Sequence, residues 1–126
     1  MSDAFAAIFA DLRAVMLGAA PGMVVAQDTA DQFTLKTGWP EARTGEPAWF
    51  GWIAIKPAYV AYHLMPLYSL PALVDAIPPA LVKRRQGKTC FNVKKPDPDV
   101  YAALAELTTL AARMEPELRA AIGTTP

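Results

Sequence analysis

The sequence of 126 residues contains one cysteine and one histidine, and its twelve Lys and Arg balance twelve Asp and Glu. One cysteine excludes an intrachain disulfide, and one cysteine with one histidine cannot supply the four ligands of a structural zinc site. Balanced charge removes a strong overall attraction to nucleic acid or anionic lipid. We therefore expect no metal, no cofactor and no nucleic-acid partner.

Long apolar runs are also missing, because proline and glycine interrupt every candidate before it reaches the roughly 18 residues of a membrane span. Residues 1–10 have no basic segment ahead of an apolar run, which predicts a cytoplasmic protein without a secretion signal and without a membrane partner. The chain is 53% hydrophobic and 19% charged, as is typical of a folded globular domain. Its length predicts a single domain over residues 1–126.

Two long segments carry apolar residues at steps of three and four. Residues 3–17 and residues 98–114 each have one apolar stripe, which predicts two amphipathic helices. Asp97 is expected to be the N-cap of the second helix, with Pro98 at its first position. A proline then separates this helix from a short final one over residues 117–122.

Runs of β-branched and aromatic residues between turn signals predict about five strands. These strands cover residues 23–27, 32–37, 49–56, 59–65 and 88–94. Sequential hairpins favour an antiparallel sheet, so the predicted class is α+β, with both terminal helices packed on one face. Residues 38–47 are expected to form a mobile surface loop, and residues 79–86 a helical turn that ends at Gly87.

The bases are concentrated in one part of the chain. Residues 51–96 hold seven bases and one acid, and six of these bases fall within residues 83–95, which contain no acid. This run predicts a site for an anion or an acidic partner, with a solvated rim as the alternative. Aromatic rings between residues 49 and 68 could line a ligand groove beside it, although core packing explains most of them.

The candidate ligand-binding residues combine these donors with the rings. They are His63, Tyr59, Tyr68, Arg85, Lys88, Cys90 and Asn92. The donors would hold a carboxylate or phosphate, while the rings would hold the apolar remainder of the ligand. Alternatively, Lys88 and Asn92 only solvate the exposed face of an edge strand.

Cys90 and His63 are also the only possible thiol and imidazole pair. Because both lie on predicted strands of one sheet, a nucleophile and its base are conceivable there. A lone cysteine in a strand is more often a small packing residue, and a lone histidine among rings is more often a hydrogen-bonded structural residue.

The order of residues from Tyr59 to Asn92 carries a resemblance. HLMPLY at 63–68 followed by RQGKTCFN at 85–92 resembles the YdhG-like family, a small bacterial family of unknown function, over about residues 50–114. The resemblance implies an α+β fold similar to frataxin. Some relatives are described as iron chaperones, so it also implies iron delivery, although the predicted first helix offers only Asp3 and Asp11 as carboxylates.

The sequence as a whole predicts a binding module rather than an enzyme, as a monomer or homodimer. Its expected partner is a small anionic or amphipathic molecule, or another protein. Two alternatives remain: iron delivery, which rests on the resemblance, and a thiol-dependent enzyme that uses Cys90.

Overall fold

One antiparallel sheet of six strands organises the fold. The computed structural model describes residues 3–123, and its strands are β1 (Val24–Asp28), β2 (Gln32–Pro40), β3 (Pro47–Ile55), β4 (Val60–Leu64), β5 (Arg85–Gln86) and β6 (Cys90–Val93). They lie in the order β1-β2-β3-β4-β6-β5, so β3 and β4 occupy the centre of the sheet. The helices are α1 (Asp3–Ala19), α2 (Pro66–Ser69), α3 (Pro71–Asp75), α4 (Pro79–Val82), α5 (Pro98–Arg113) and α6 (Glu115–Ile122).

The two long helices cover the same face of the sheet. The stripe of α1 places Ile8, Leu12 and Met16 in the core with no exposed surface, and α1 packs against α5, β3 and β4. The α5 helix is tied to β4 by a hydrogen bond of 2.6 Å between the hydroxyls of Tyr62 and Thr108. This confirms the α+β class and the arrangement of both helices on one face. Within residues 3–123, the other face of the sheet carries no long helix.

The start of α5 follows the predicted capping pattern. The Asp97 carboxylate accepts hydrogen bonds from the backbone N–H groups of Asp99 and Val100, and Pro98 occupies the first helical position. These bonds satisfy donors that have no partner inside the helix. The predicted break near the C-terminus is also present, since α6 begins at Glu115 after Met114 leaves helical geometry.

The predicted helical turn over residues 79–86 is present in its first half only. The helix α4 ends at Val82, and Arg85 and Gln86 instead form β5, which pairs with β6. A backbone bond of 2.9 Å from Asn92 N–H to the Arg84 carbonyl extends this pairing. The positive φ of Gly87, +68°, therefore belongs to the turn between β5 and β6 and not to a helix end.

The predicted loop over residues 38–47 is shorter in the structure. The strand β2 continues to Pro40 and β3 begins at Pro47, so a hairpin closes over residues 41–46. Two backbone hydrogen bonds of 2.9 Å hold this hairpin. One runs from Glu41 N–H to the Glu46 carbonyl, and the other from Gly45 N–H to the Glu41 carbonyl. Extension of β2 buries Trp39, whose side chain is 7% exposed.

A β-bulge in β3 decides which side chains reach the open face. Leu35 of β2 pairs with Gly51, but the next residue, Lys36, pairs with Trp49, so Phe50 is an extra residue in β3. A bulge shifts the alternation of side chains by one position. Trp49 and Trp52, three positions apart, consequently lie on the same face, where a regular strand would place them on opposite faces.

Gly51 makes this bulge compatible with the helix above it. A Cβ atom at this position would lie 2.8 Å from Met16 Cε and 2.9 Å from the carbonyl oxygen of His63. Both separations are shorter than ordinary contacts, and one partner is backbone. Any side chain here would displace the end of Met16 and collide with the backbone of β4.

Candidate functional site

The open face of the sheet is defined by the register of its central strands. Val60, Tyr62 and Leu64 are buried in the core beneath the helices, so alternation turns His63 to the opposite face. His63 is paired with Trp52 on one side and with Cys90 on the other. His63 therefore lies on the face of the sheet that can line a surface site.

A row of rings crosses this face. The Trp49 and Trp52 rings meet edge to face, with centroids 5.1 Å apart, and Trp52 is stacked on His63 at 4.2 Å with only 10° between the planes. Lys36 Nζ lies 5.0 Å from the Trp49 ring centroid. The bulge in β3 creates this row, because it brings the two tryptophans into contact.

A cavity of about 680 Å³ opens beside the two tryptophans. Its walls come from the 41–46 hairpin, β3, α2 with the residue before it, and α6. The lining residues are Glu41, Arg43, Trp49, Trp52, Met65, Tyr68, Ser69, Leu118 and Ile122. Most of this lining is apolar or aromatic, with a few polar groups. Both the volume and the lining are typical of small-molecule sites.

The charges around the cavity are mainly positive. Lys88 Nζ lies 4.8 Å from the ring centroid of Tyr68, and Lys36 stands over Trp49. Arg43 is the third base, and the one carboxylate in the lining, Glu41, accepts hydrogen bonds from the Thr44 hydroxyl at 3.0 Å and from Arg43 Nη2 at 3.5 Å. The unbalanced charge at the rim favours an anionic ligand.

The structure brings some of the predicted residues to this cavity and separates others. Tyr68 is part of the lining, Lys88 contacts its ring, and His63 contacts the lining residue Trp52. The Arg85 side chain binds backbone instead, since its Nε and Nη2 donate hydrogen bonds to the Lys88 carbonyl at 3.3 and 2.9 Å. Tyr59 precedes β4, whereas Tyr68 follows it, so Tyr59 lies at the other end of the strand and is not in the lining.

Cys90 and Asn92 form a second small cluster on the open face. Cys90 Sγ donates to Asn92 Oδ1 at 3.3 Å, and Asn92 Nδ2 donates to Gln86 Oε1. This network joins β6 to the edge strand β5. It places the two predicted residues on the same face as His63 but outside the cavity lining.

The thiol and imidazole are neighbours without being an activated pair. His63 Nδ1 is 3.3 Å from the Thr89 hydroxyl, and the Cys90 thiol is bonded to Asn92. Burial raises the pKa of Cys90, and burial with the nearby Lys56 charge lowers the pKa of His63 to about 4. At neutral pH this arrangement holds a protonated thiol beside a neutral imidazole, which disfavours nucleophilic chemistry.

Only some of the bases in residues 83–95, the run without acids, form ion pairs or hydrogen bonds through their side chains. Arg84 forms an ion pair of 3.8 Å with Asp97, and Arg85 is committed to the turn. Lys83, Lys94 and Lys95 are exposed, and none of them forms a salt bridge within residues 3–123. They lie outside the cavity lining, so Lys88 is the member of this run that is closest to the site.

Sequence reasoning did not include several lining residues among its candidates. Trp49 and Trp52 belong to the aromatic rings of the predicted groove, but alternation in a regular strand would place them on opposite faces. The isolated glycine inside a strand of large residues, Gly51, is a signal for a bulge. Leu118 and Ile122 of α6 have no such signal, because they reach the cavity only through tertiary packing.

The comparisons with known proteins add no assignment. No family model, curated protein or solved structure matches the chain.

Among residues 3–123, no group of three or more His, Cys, Asp or Glu side chains is arranged to hold a metal ion. None of the helices in this part of the chain has the length and apolar character needed to cross a membrane.

Proposed function

We propose that this protein is a non-enzymatic binding module for a small amphipathic molecule that bears an anionic group. The cavity of about 680 Å³ beside Trp49 and Trp52 is the observation that carries this proposal. Two large rings held in contact by a backbone bulge form a preorganised apolar surface, which reduces the entropy cost of binding. The apolar body of the ligand lies against these rings.

The anionic character of the ligand follows from the rim. Lys36 and Lys88 each lie over a ring of the lining, Arg43 is part of the lining, and the single carboxylate of the lining, Glu41, is already hydrogen-bonded to Arg43 and Thr44. An anion would therefore meet two ammonium groups without facing an uncompensated carboxylate. Thiol catalysis has weaker support, since Cys90 is bonded to Asn92 and its pKa is raised.

Fluorescence titration with N-phenyl naphthylamine tests the apolar part of this site, because the probe is neutral and emits strongly once it leaves water. We expect saturable binding to the wild-type protein. Trp49→Ala removes a 41% exposed ring of the lining and should weaken binding about five-fold or more.

The matched control is Tyr59→Ala, which removes a ring at the far end of β4, and should leave probe binding unchanged. Native mass spectrometry of the purified protein would then identify a retained natural ligand. Absence of saturable probe binding, or an equal loss in both variants, would contradict the proposed function.

A further inference from the structure

We propose that Lys88 holds the anionic group of the ligand and that Arg85 positions it through the turn between β5 and β6. This inference rests on the proposed function and adds to it the residue that selects the charge of the ligand. The ligand class is a carboxylate, sulfonate or phosphate attached to an apolar ring system, with the anion directed to the Tyr68 side of the cavity.

The turn between β5 and β6 is built to present one ammonium group. The guanidinium of Arg85 donates two hydrogen bonds, of 3.3 and 2.9 Å, to the carbonyl of Lys88. Gly87 supplies the positive φ, +68°, that reverses the chain just before Lys88. These constraints fix the backbone of Lys88 while its exposed side chain reaches over Tyr68.

The Lys88 ammonium has unused capacity for an anion. Within residues 3–123 it forms no salt bridge, and it lies over the face of the Tyr68 ring, whose centroid is 4.8 Å away. A carboxylate or sulfonate accepts a charge-assisted hydrogen bond, which is stronger than contact with an exposed ring. Lys88 can therefore exchange the ring for the anion when a ligand enters.

The other rim cations are less suited to this exchange. Arg43 is already 3.5 Å from the Glu41 carboxylate. Lys36 lies in β2 between partners on both sides, Val24 and Trp49, and its half-buried side chain covers the Trp49 ring. Of these three cations, only Lys88 has an exposed side chain that contacts a lining residue and a backbone carbonyl that accepts two hydrogen bonds from Arg85.

A pair of probes separates the anion from the apolar body. Anilinonaphthalene sulfonate has the same ring system as N-phenyl naphthylamine and adds one sulfonate. Wild-type protein should bind the sulfonate about three- to five-fold more tightly than the neutral probe, the size expected for an exposed charge pair. This preference should fall with added salt, whereas binding of the neutral probe should not.

Four variants test the assignment. Lys88→Gln should abolish the preference for the sulfonate and leave the neutral probe unaffected, while Lys88→Arg should keep it. Arg85→Lys retains the charge but loses the two-pronged bond to the turn, so it should reduce the preference. Lys83→Gln removes a lysine of the same basic run that lies away from the cavity, and should have no effect.

The outcomes distinguish the two proposals. Failure of the neutral probe to bind would remove the proposed function itself. Binding of both probes with no preference, or a preference that survives Lys88→Gln, would overturn the role of Lys88. Loss of the preference in Lys36→Gln rather than in Lys88→Gln would move the anion to the other rim of the cavity.

Discussion

Two buried threonines of β2 differ in whether the hydroxyl is used. Thr34 and Thr37 are each 1% exposed, and the Thr37 hydroxyl donates to the Trp39 carbonyl at 3.0 Å. The Thr34 hydroxyl, on the open face opposite Trp52, has no hydrogen-bond partner within residues 3–123. A buried hydroxyl without a partner has lost its bonds to water and gained none in return.

Thr34→Val is therefore expected to preserve or raise the free energy of unfolding, by up to about 1 kcal/mol, because it removes this unpaired group at nearly constant volume. The matched variant Thr37→Val should lower it by about 1 kcal/mol, since the Trp39 carbonyl loses its donor. Urea denaturation of both variants measures the difference. Equal losses would mean that the Thr34 hydroxyl has a partner, such as water.

His63 makes stability depend on pH in a predictable direction. Its pKa in the folded protein is about 4, against the usual 6.5, because burial and Lys56 disfavour the charged ring. Between these two values the unfolded chain binds a proton that the folded chain does not, so the free energy of unfolding falls as the pH is lowered from 6.5 towards 4. Below pH 4 both states are protonated and this loss is constant.

Partial exposure of His63 reduces the expected size of this loss to about 1–2 kcal/mol. His63→Phe keeps a ring against Trp52 but cannot titrate. The difference in unfolding free energy between wild type and His63→Phe should therefore shift by this amount between pH 7 and pH 4. Because other carboxylates titrate in both proteins, only the difference reports His63, and parallel curves would contradict the assignment.

At the scale of elements, β4 and α5 are joined by one hydrogen bond inside the core. Tyr62 and Thr108 have no exposed surface, and their hydroxyls are 2.6 Å apart. Tyr62→Phe should lower the free energy of unfolding by about 1–3 kcal/mol, because Thr108 is left buried without a partner. Thr108→Val should act similarly on the Tyr62 hydroxyl.

The double variant of Tyr62 and Thr108 distinguishes pairing from packing. Removing both hydroxyls leaves no unpaired group, so its cost should be smaller than the sum of the two single costs. Thermal or urea unfolding of the four proteins closes the cycle. Strict additivity would mean that the two side chains contribute separately.

Most helices and strands could be predicted from local sequence, because apolar residues repeat along them at a regular spacing or characteristic residues mark their ends. Repeating apolar residues defined α1 and α5, and Asp97 with Pro98 marked the start of α5. The two-residue strand β5 is too short for any periodic signal, and it exists only because β6 lies beside it. Tertiary pairing overrode the helical prediction for residues 85–86, whereas residues 79–82 are helical as predicted.

The candidate site was only partly predictable for a related reason. Tyr68, Lys88 and His63 were selected by chemistry and do lie at or beside the cavity. The pairing of Trp49 with Trp52 depends on a register shift that follows from β2 as much as from β3. Residues such as Leu118 complete the cavity wall from a helix that lies more than fifty positions after the two tryptophans in the chain.

At the scale of the whole molecule, the sheet has two edges of different character. The edge strand β5 has two residues, Arg85 and Gln86, and its charge and short length discourage pairing with another strand. The edge strand β1 has five residues, all exposed, and includes Val24 and Val25, which are 52% and 47% exposed. An edge strand with exposed apolar side chains such as these is a template for association between chains.

Val25→Lys should therefore suppress association of the chain, because a charge on an edge strand disfavours pairing. The effect should be largest near the sequence pI of about 6.6, where net charge gives little repulsion. Val82→Lys is the matched control: it adds the same charge at a 61% exposed valine on α4, away from both edges. Light scattering during incubation at that pH measures association. Equal protection by the two lysines would assign the effect to net charge, whereas protection by Val25→Lys alone identifies β1 as the surface through which chains pair.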